Sequence, residues 1–308
     1  MMEKKIVVVG SANTDMILKL PRIPRPGETI IGGEFFVAAG GKGANQAVSA
    51  ARAGAKVVLV ARVGSDIFGV QSIDGFIKDG IDVRHIARDD HARSGVALIF
   101  VGQDGENSIG VASGANAHLS VADVGKARKV ISRADILLLQ LETPIKTLKA
   151  AARIAADNGV RVILNPAPAQ PLDDEFLRSV SILTPNESEA EILTGIRIAS
   201  EKSMKQAAEQ LLARGIETVM ITLGPRGVYV SSAKGNALVP GFPIEPLDTT
   251  AAGDVFNGAL AVSLAENHDL LVAARFACAA AALSCCKLGA QTSVPYRREI
   301  DSFLVDRT

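Results

Sequence analysis

The sequence predicts an α/β fold, a doubly wound and mostly parallel sheet flanked by helices, with a small β-sheet lid beside it. Short apolar runs without polar alternation indicate strands whose two faces are both covered by helices. These runs are residues 6–9, 57–63, 136–141, 160–164, 182–183 and 218–223. Helix-like stretches lie between the runs, and this alternation favours a doubly wound sheet.

Two helix starts support the alternation. Ser120 is followed three residues later by Asp123, which resembles a capping box. Thr143 is predicted to cap a second helix, with Pro144 at its first position and its end near Gly159.

Two segments break the strand–helix pattern. Residues 16–20 and 28–37 are predicted as strands around a proline-rich turn, and residues 95–101 and 107–111 as the strands of a hairpin around Gly105. We expect both to form a separate lid over the strand ends. The predicted domains are an α/β domain of residues 1–10, 38–88 and 112–308 and a β lid of residues 11–37 and 89–111. A further hairpin, residues 227–239, is predicted to extend the main sheet at an edge.

Composition excludes several function classes. The 308 residues contain 33 Lys and Arg against 33 Asp and Glu, so no net charge favours nucleic acid or an anionic membrane. The longest apolar stretch, residues 276–286, is far shorter than the ~20 residues that span a bilayer. The three cysteines make no disulfide framework. We therefore expect a cytoplasmic protein that acts on small molecules.

Residues 248–254 precede a predicted helix and combine small side chains with a carboxylate. Ala251, Ala252 and Gly253 let a ligand approach the backbone, and N–H groups at a helix start bind anions. Asp254 follows directly and is placed to take a proton from an attacking hydroxyl. Spacing alone also allows Asp254 to be a plain helix cap.

A second glycine-rich segment, residues 40–46, also opens a predicted helix. It is not a Walker A loop, because Gly43 stands where Ser or Thr is required, and Gln46 replaces the third glycine of a dinucleotide fingerprint. Lys42 and Asn45 offer polar groups suited to sugar hydroxyls, although a glycine-rich turn with a solvated lysine fits the same residues.

Several polar residues follow predicted strands. In an open α/β sheet, ligands bind outside the carboxyl ends of the strands, so these residues are expected at one edge. They are Asn13 and Asp15, Glu142, Asn186 and Glu189, and the loop 222–227. Asn186 and Glu189 suit Mg²⁺ held partly through water, or equally a helix cap.

Together these motifs resemble the ribokinase (PfkB-type) family of carbohydrate and nucleoside kinases, from about residue 7 to about residue 303. The two glycine-rich segments are specific as a pair in this order and spacing. The resemblance implies ATP-dependent phosphorylation of D-ribose at the 5-hydroxyl. Alternatives are a kinase for deoxyribose, fructose or a nucleoside, or a non-catalytic sugar- or nucleotide-binding regulator.

The resemblance also implies roles for individual residues. Asp254 is the expected base, with the N–H groups of residues 251–254 as an anion hole for the γ-phosphoryl group. Expected ribose ligands are Asn13, Asp15, Gly41, Lys42, Asn45, Glu142 and Asp254. Expected Mg²⁺–ATP and nucleotide contacts are Asn186, Glu189, Thr222, Gly224, Arg226, Gly227, Gly253 and, near adenine, Cys278. An expected K⁺ site comprises Asp248, Thr250, Ser284, Lys287, Gly289 and Ser293. The family also implies a homodimer formed through the lid.

Overall fold

The computed structural model describes residues 4–307 and contains two sheets, with strands and helices numbered here in chain order. The nine-stranded main sheet has the order β13-β12-β11-β10-β9-β8-β1-β4-β5. Its strands are β1 (Lys5–Val9), β4 (Lys56–Gly64), β5 (Asp82–Asp89), β8 (Ile136–Leu139), β9 (Arg161–Leu164), β10 (Ile182–Leu183), β11 (Thr218–Thr222), β12 (Val228–Ser232) and β13 (Gly235–Val239). All neighbours pair in parallel except β11–β12 and β12–β13, which form the antiparallel edge predicted for residues 227–239.

The small sheet has the order β3-β2-β6-β7. Its strands are β2 (Asn13–Lys19), β3 (Glu34–Gly40), β6 (Gly95–Val101) and β7 (Asn107–Ala112). Strand β2 pairs in parallel with β6, whereas the other two pairs are antiparallel. Because β3 runs to Gly40 and β7 to Ala112, both strands continue past the predicted domain boundaries at residues 37 and 111. The division into two domains stays a prediction.

Helices cover both faces of the main sheet. They are α1 (Lys42–Arg52), α2 (Ile67–Lys78), α3 (Val121–Lys126), α4 (Arg128–Ile131), α5 (Ile145–Ala156), α6 (Asp174–Leu177), α7 (Glu187–Thr194), α8 (Glu201–Leu212), α9 (Ala252–Ala265), α10 (Leu270–Cys285) and α11 (Arg297–Val305). Alternate residues of β1 belong to two separate cores: Ile6 and Val8 join α1, α9 and α10, whereas Val7 and Val9 join α5 and α8. The predicted doubly wound fold is therefore confirmed.

Two local expectations differ from the structure, and one strand was not expected. Helix α5 starts at Ile145 with Pro144 as its N-cap, and the buried hydroxyl of Thr143 has no hydrogen-bond partner among residues 4–307, so it does not cap the helix. The strand expected from residue 28 begins only at Glu34. Strand β5 was not predicted, because its half-buried edge position leaves its sequence polar and without a continuous apolar run. The Ser120–Asp123 capping box is present as predicted.

Strands β1 and β8 are parallel, but the direction in which successive strands are added to the main sheet reverses between them. From β1 the chain proceeds to β4 and β5 at one edge, and from β8 it proceeds through β9 to β13 at the other. Such a switch point opens a crevice at the carboxyl ends of the two strands. The segments that leave β1 and β8 carry Ser11 and Glu142, so the topology brings these residues together. Within residues 4–307, no helix combines the length and the apolar character needed to cross a membrane.

Candidate active site

Asp254 lies in the first turn of α9, buried at 5% exposure. The N-cap of this helix is Ala251, whose φ of 61° is left-handed, and no side chain in the described part of the chain caps the helix. Asp254 is therefore not the cap. Its carboxylate reaches across to α1, where Asn45 Nδ2 donates to Oδ2 at 2.9 Å and Gln46 Nε2 donates to Oδ1 at 3.0 Å.

The start of α9 presents free backbone donors. Ala252 donates its N–H to the Thr249 carbonyl at 3.3 Å, but Gly253 and Asp254 donate theirs to no acceptor within residues 4–307. Such unpaired N–H groups at a helix start carry positive potential. This end of α9 thus has the chemistry of an anion site next to a carboxylate.

The start of α1 packs tightly against the segment that follows β1. A Cβ atom at Gly41, where φ is 89°, would lie 2.6 Å from Asn13 N, and one at Gly43 would lie 2.6 Å from Ser11 N. Glycine is therefore required at both positions. Lys42 donates its backbone N–H to Glu142 Oε2 at 3.0 Å, and the Ser11 hydroxyl donates to the same oxygen.

Asn13 and Asp15 lie on β2, at the end of the small sheet nearest the switch point. Asn13 is buried, and its Oδ1 accepts a 2.7 Å hydrogen bond from Asn116 Nδ2. Because alternate residues of a strand share a face, Asp15 is on the same side of the sheet as Asn13. The space beside Asp15 depends on Gly40, where a Cβ would lie 2.2 Å from the carboxylate.

The carboxylates of Asp15, Glu142 and Asp254 and the ammonium group of Lys42 dominate the electrostatics of the site. Burial, followed by the charges of Glu142 and Asp254, raises the pKa of Asp15 to about 6. Burial also raises the pKa of Asp254, against the opposing effects of Lys42 and the two amides. Burial alone would lower the pKa of Lys42, but nearby carboxylates raise it overall. The site thus combines hydrogen-bond acceptors for hydroxyl groups with one fixed cation.

Asn186 and Glu189 form the capping box of α7. Asn186 Oδ1 accepts the N–H of Glu189 at 2.8 Å, and Glu189 Oε2 accepts the N–H of Asn186 at 2.9 Å. Burial is the main cause that raises the pKa of Glu189, and the charge of Lys42 opposes it. Each side chain keeps acceptor capacity beyond the cap, so the capping interpretation and the Mg²⁺ interpretation are compatible.

The loop after β11 contains Thr222, Gly224, Arg226 and Gly227. Thr222 and Asn186 form an isolated parallel β-bridge, which places this loop beside α7. Arg226 pairs with Glu187 at 2.5 Å, and both side chains are solvent-exposed. Gly227 has a φ of 97°, and a Cβ there would lie 2.1 Å from the Val239 carbonyl oxygen.

Cys278 is buried on α10, which packs against β12 and β13, and burial raises its thiol pKa to about 12.

The residues expected at a cation site lie in the loop before α9, at the end of α10 and in the segment that follows α10. Asp248 Oδ1 accepts from Thr250 N at 2.9 Å, and its Oδ2 accepts from Gly289 N at 2.8 Å. Ser284 and Ser293 are both buried, and their hydroxyl groups donate to the Ala281 and Ala290 carbonyls, each at 2.8 Å. Lys287 instead points to Glu299 at 2.8 Å, so only its backbone oxygen suits a cation.

Sequence reasoning missed several polar residues of the site. Those that are buried and hydrogen-bonded to predicted site residues or to their partners include Ser11, Gln46, Asn116, Gln140, Asn165 and Asn257. Gln140 carried a usable signal, because it is a glutamine inside the apolar run 136–141. The others follow strands or lie inside helices, where polar residues are common and carry no specific signal.

Comparison with known proteins supports the same picture over almost the whole chain. The family model described as "pfkB family carbohydrate kinase" matches residues 3–297 of this chain. A ribokinase of Haemophilus influenzae is 49% identical over 303 residues, covering 98% of this chain and 99% of the relative. A deoxyribokinase of Salmonella typhi is 34% identical over 300 residues, covering 97% and 98%.

The structure of Arabidopsis thaliana ribokinase complexed with ribose and ATP superposes with a TM-score of 0.91 at 32% identity. The match covers 98% of this chain and 99% of the Arabidopsis chain. The fold, the two glycine-rich segments and the full-length matches agree, and the chain belongs to the PfkB family of carbohydrate kinases.

Proposed function

We propose that this protein phosphorylates D-ribose at its 5-hydroxyl with ATP, giving D-ribose 5-phosphate and ADP. The observation that carries the proposal is the buried Asp254 carboxylate, held by two amides beside unpaired N–H groups of α9. Ribokinase relatives that match over nearly the full length support ribose and ATP as substrates.

In the proposed reaction, the proton of the 5-hydroxyl passes to Asp254. The hydroxyl oxygen forms a bond to the γ-phosphorus as the bond from that phosphorus to the ADP oxygen breaks. Residues Ala251, Ala252, Gly253 and Asp254 surround the transferring group with backbone N–H donors, which stabilise its charge. In the free protein the Ala252 N–H already donates to the Thr249 carbonyl at 3.3 Å, so it is less available to the phosphoryl group than the N–H groups of Gly253 and Asp254.

Ribose is proposed to bind between the two sheets. Asn13 and Asp15 from β2 accept hydrogen bonds from the vicinal hydroxyls, with Glu142 and Asn45 completing the ring of polar groups. Gly41 lets the backbone of α1 approach the sugar, and Lys42 offsets the negative charge of nearby carboxylates such as those of Asp254 and Glu142. The small sheet is proposed to close over the sugar as a lid and exclude water.

The nucleotide is proposed to bind along the loop with Thr222, Gly224, Arg226 and Gly227, and on to Cys278 near adenine. Asn186 and Glu189 would hold Mg²⁺ through water, since both are oxygen donors with capacity left beyond the cap. When bound, Mg²⁺ neutralises charge on the phosphates.

Monovalent cation activation is also proposed. Asp248, Thr250, Ser284, Gly289 and Ser293 supply oxygen donors, which is the chemistry that hard cations prefer. Lys287 contributes through its backbone only. Asp248 already links residues 250 and 289, so a K⁺ here would stiffen the loop that leads into α9 and hold its N–H groups in place.

We also propose that the protein is a homodimer formed through the small sheet. The support is the exposed apolar surface of this sheet, in which Phe35, Val37, Leu98, Ile109 and Val111 are each at least half exposed.

A cytoplasmic location is proposed because Cys278, Cys285 and Cys286 are all free thiols, as is usual in a reducing compartment.

Release of ADP from Mg²⁺–ATP tests the function, with D-ribose compared against 2-deoxyribose, fructose and nucleosides, each in K⁺ or Na⁺. We expect ribose to have the highest kcat/KM and K⁺ to increase it. Because one of the relatives is a deoxyribokinase, 2-deoxyribose is the second candidate substrate. Equal kcat/KM for both pentoses contradicts the ribose assignment, and ATP binding without turnover of any acceptor favours the regulator.

A further inference from the structure

A line of buried amides leads from Asp254 into the protein interior. Gln46 Nε2 donates to Asp254 Oδ1 at 3.0 Å, and Gln46 Oε1 accepts from Gln140 Nε2 at 2.6 Å. Both glutamines are completely buried, at 0% exposure. Gln46 Nε2 also donates to Asn165 Oδ1 at 3.2 Å, so every hydrogen-bonding atom of its amide is used.

The charge of Asp254 sets the direction of this line. An ionised carboxylate only accepts hydrogen bonds, so Gln46 must present its NH₂ group to Asp254 and its oxygen to Gln140. Gln140 must then present its own NH₂ group to Gln46. Its oxygen is left at the far end, buried and without a partner among residues 4–307.

Leaving a buried carbonyl oxygen unpaired destabilises the fold, so this orientation of Gln140 has to be compensated elsewhere. The fold also reserves space for that oxygen. A Cβ atom at Gly10 would lie 2.1 Å from Gln140 Oε1. The arrangement is thus enforced at one end by a charge and accommodated at the other by a glycine.

We propose that Gln46 and Gln140 are positioning residues for the general base: Gln46 fixes one oxygen of Asp254 so that the other faces the sugar hydroxyl, and Gln140 orients Gln46. Neither glutamine touches substrate in this proposal, which rests on the proposed kinase function. The proton still passes from the 5-hydroxyl to Asp254 Oδ2, which accepts a hydrogen bond from Asn45 and from no other side chain among residues 4–307 in the free protein.

The same hydrogen bonds favour the ionised form of Asp254. Burial raises the pKa of this carboxyl, while Lys42 and the amides of Asn45 and Gln46 lower it. Other charged groups that act on Asp254 are Glu142, Asp15 and Glu189. Loss of the Gln46 amide therefore raises the pKa of Asp254, and the base becomes protonated over a wider range of pH.

The test is a double-mutant cycle with Gln46→Met and Gln140→Met, singly and together. Methionine keeps the side-chain length and removes the amide. We measure kcat for ribose against pH at saturating substrates, ribose Kd by calorimetry, and Tm. We expect Gln46→Met to lower kcat at pH 7 about 10- to 100-fold, the range for a hydrogen bond to a charged group, with ribose Kd nearly unchanged.

The acidic limb of the kcat profile should move to higher pH in Gln46→Met and, by less, in Gln140→Met. Because Gln140 acts only through Gln46, the double variant should match Gln46→Met alone. Additive effects on kcat, or an acidic limb that stays in place, overturn the proposal.

The matched control is Gln170→Met, which removes a half-buried amide that donates to the Leu141 carbonyl at 3.1 Å and not to a carboxylate. Its acidic limb should coincide with that of the unchanged protein. If Gln46→Met does not fold, Gln46→Glu keeps the shape and places a second carboxylate beside Asp254. The acidic limb should then move further upwards, because adjacent carboxylates share a proton, and an unmoved limb overturns the proposal.

Failure of the proposed function is seen separately. Absence of ribose turnover by the unchanged protein contradicts that function and this inference with it. Ribose turnover by the unchanged protein, with an unmoved acidic limb in every Gln46 variant, contradicts this inference alone.

Discussion

The main sheet and the small sheet both contain apolar strands, but they differ in what covers them. Every residue of β8 is buried, because helices pack on both faces of the main sheet. Every residue of β7 in the small sheet is exposed, and β3 is exposed over its first four residues. The main sheet is therefore stabilised by apolar cores on both of its faces, whereas the small sheet presents exposed apolar surface of the kind that is typical of a binding interface.

The candidate active site uses both kinds of sheet. Asp254 and Lys42 lie in the first turns of helices that are anchored in the main core, where the backbone has little freedom. Asp15 lies on the less protected small sheet. This division predicts that changes on the main-sheet side act on chemistry, whereas changes on the small-sheet side act on sugar binding and assembly.

The largest effect is expected for Asp254→Asn. Loss of a general base typically costs ~10²- to 10⁴-fold in rate, and asparagine keeps the shape of the side chain. We expect kcat to fall by that factor, with ribose Kd and Tm changed little. Steady-state kinetics and calorimetry measure this, and a variant that keeps a tenth or more of kcat contradicts the role of Asp254.

A smaller, binding-centred effect is expected for Asp15→Asn. A hydrogen bond to a charged group contributes about 1.5–3 kcal/mol, so ribose KM should rise about 10- to 100-fold with kcat less affected. A larger change in kcat than in KM contradicts the division between the two sheets. Thr14→Ser is a nearby control, because it keeps a small hydroxyl side chain on the opposite face of β2.

The same variant also tests the pKa of Asp15. Its folded pKa of about 6 lies above the ordinary value of 3.8, so the stability it contributes is complete below about pH 4 and is lost as the pH rises through 6. Asp15→Asn should therefore unfold at a higher temperature than the unchanged protein at pH 7 to 8, by an amount that disappears near pH 4. Thermal unfolding across this range measures it, and a lower Tm at pH 8 has the wrong sign.

The smallest kinetic effect is expected from charges placed on the exposed apolar strands. Directly paired residues share a face, so Ile109 lies on the same face as Asp15, and Leu98 lies on the opposite face. Leu98→Lys and Ile109→Lys should change kcat less than about threefold, because an exposed substitution has little effect on the main core. One of them should convert the proposed dimer to a monomer on a sizing column.

The face whose substitution breaks the dimer is the interface. If the unchanged protein already elutes as a monomer at assay concentration, or if both variants stay dimeric, the proposed pairing through the small sheet is wrong.

The sequence by itself determined most of the main sheet. The strands β1, β4 and β9 were predicted within a few residues, because a strand covered on both faces must be apolar along its length. The helix start before Asp254 was equally visible, since small residues and a carboxylate occur there in a local order. These signals depend on neighbours in the sequence, so no knowledge of the fold is needed to recognise them.

Only the tertiary structure decided how Asp254 is held. Gln46 lies 208 positions from Asp254, and Gln140 lies 94 positions from Gln46. An amide can donate or accept, so its type alone does not reveal its partner. Strand β5 and the misplaced cap at Thr143 show the same limit, because edge position and the exact helix start depend on contacts made elsewhere. Hydrogen bonds between distant residues are fixed by the fold, and the sequence expresses them only as isolated polar residues in apolar surroundings.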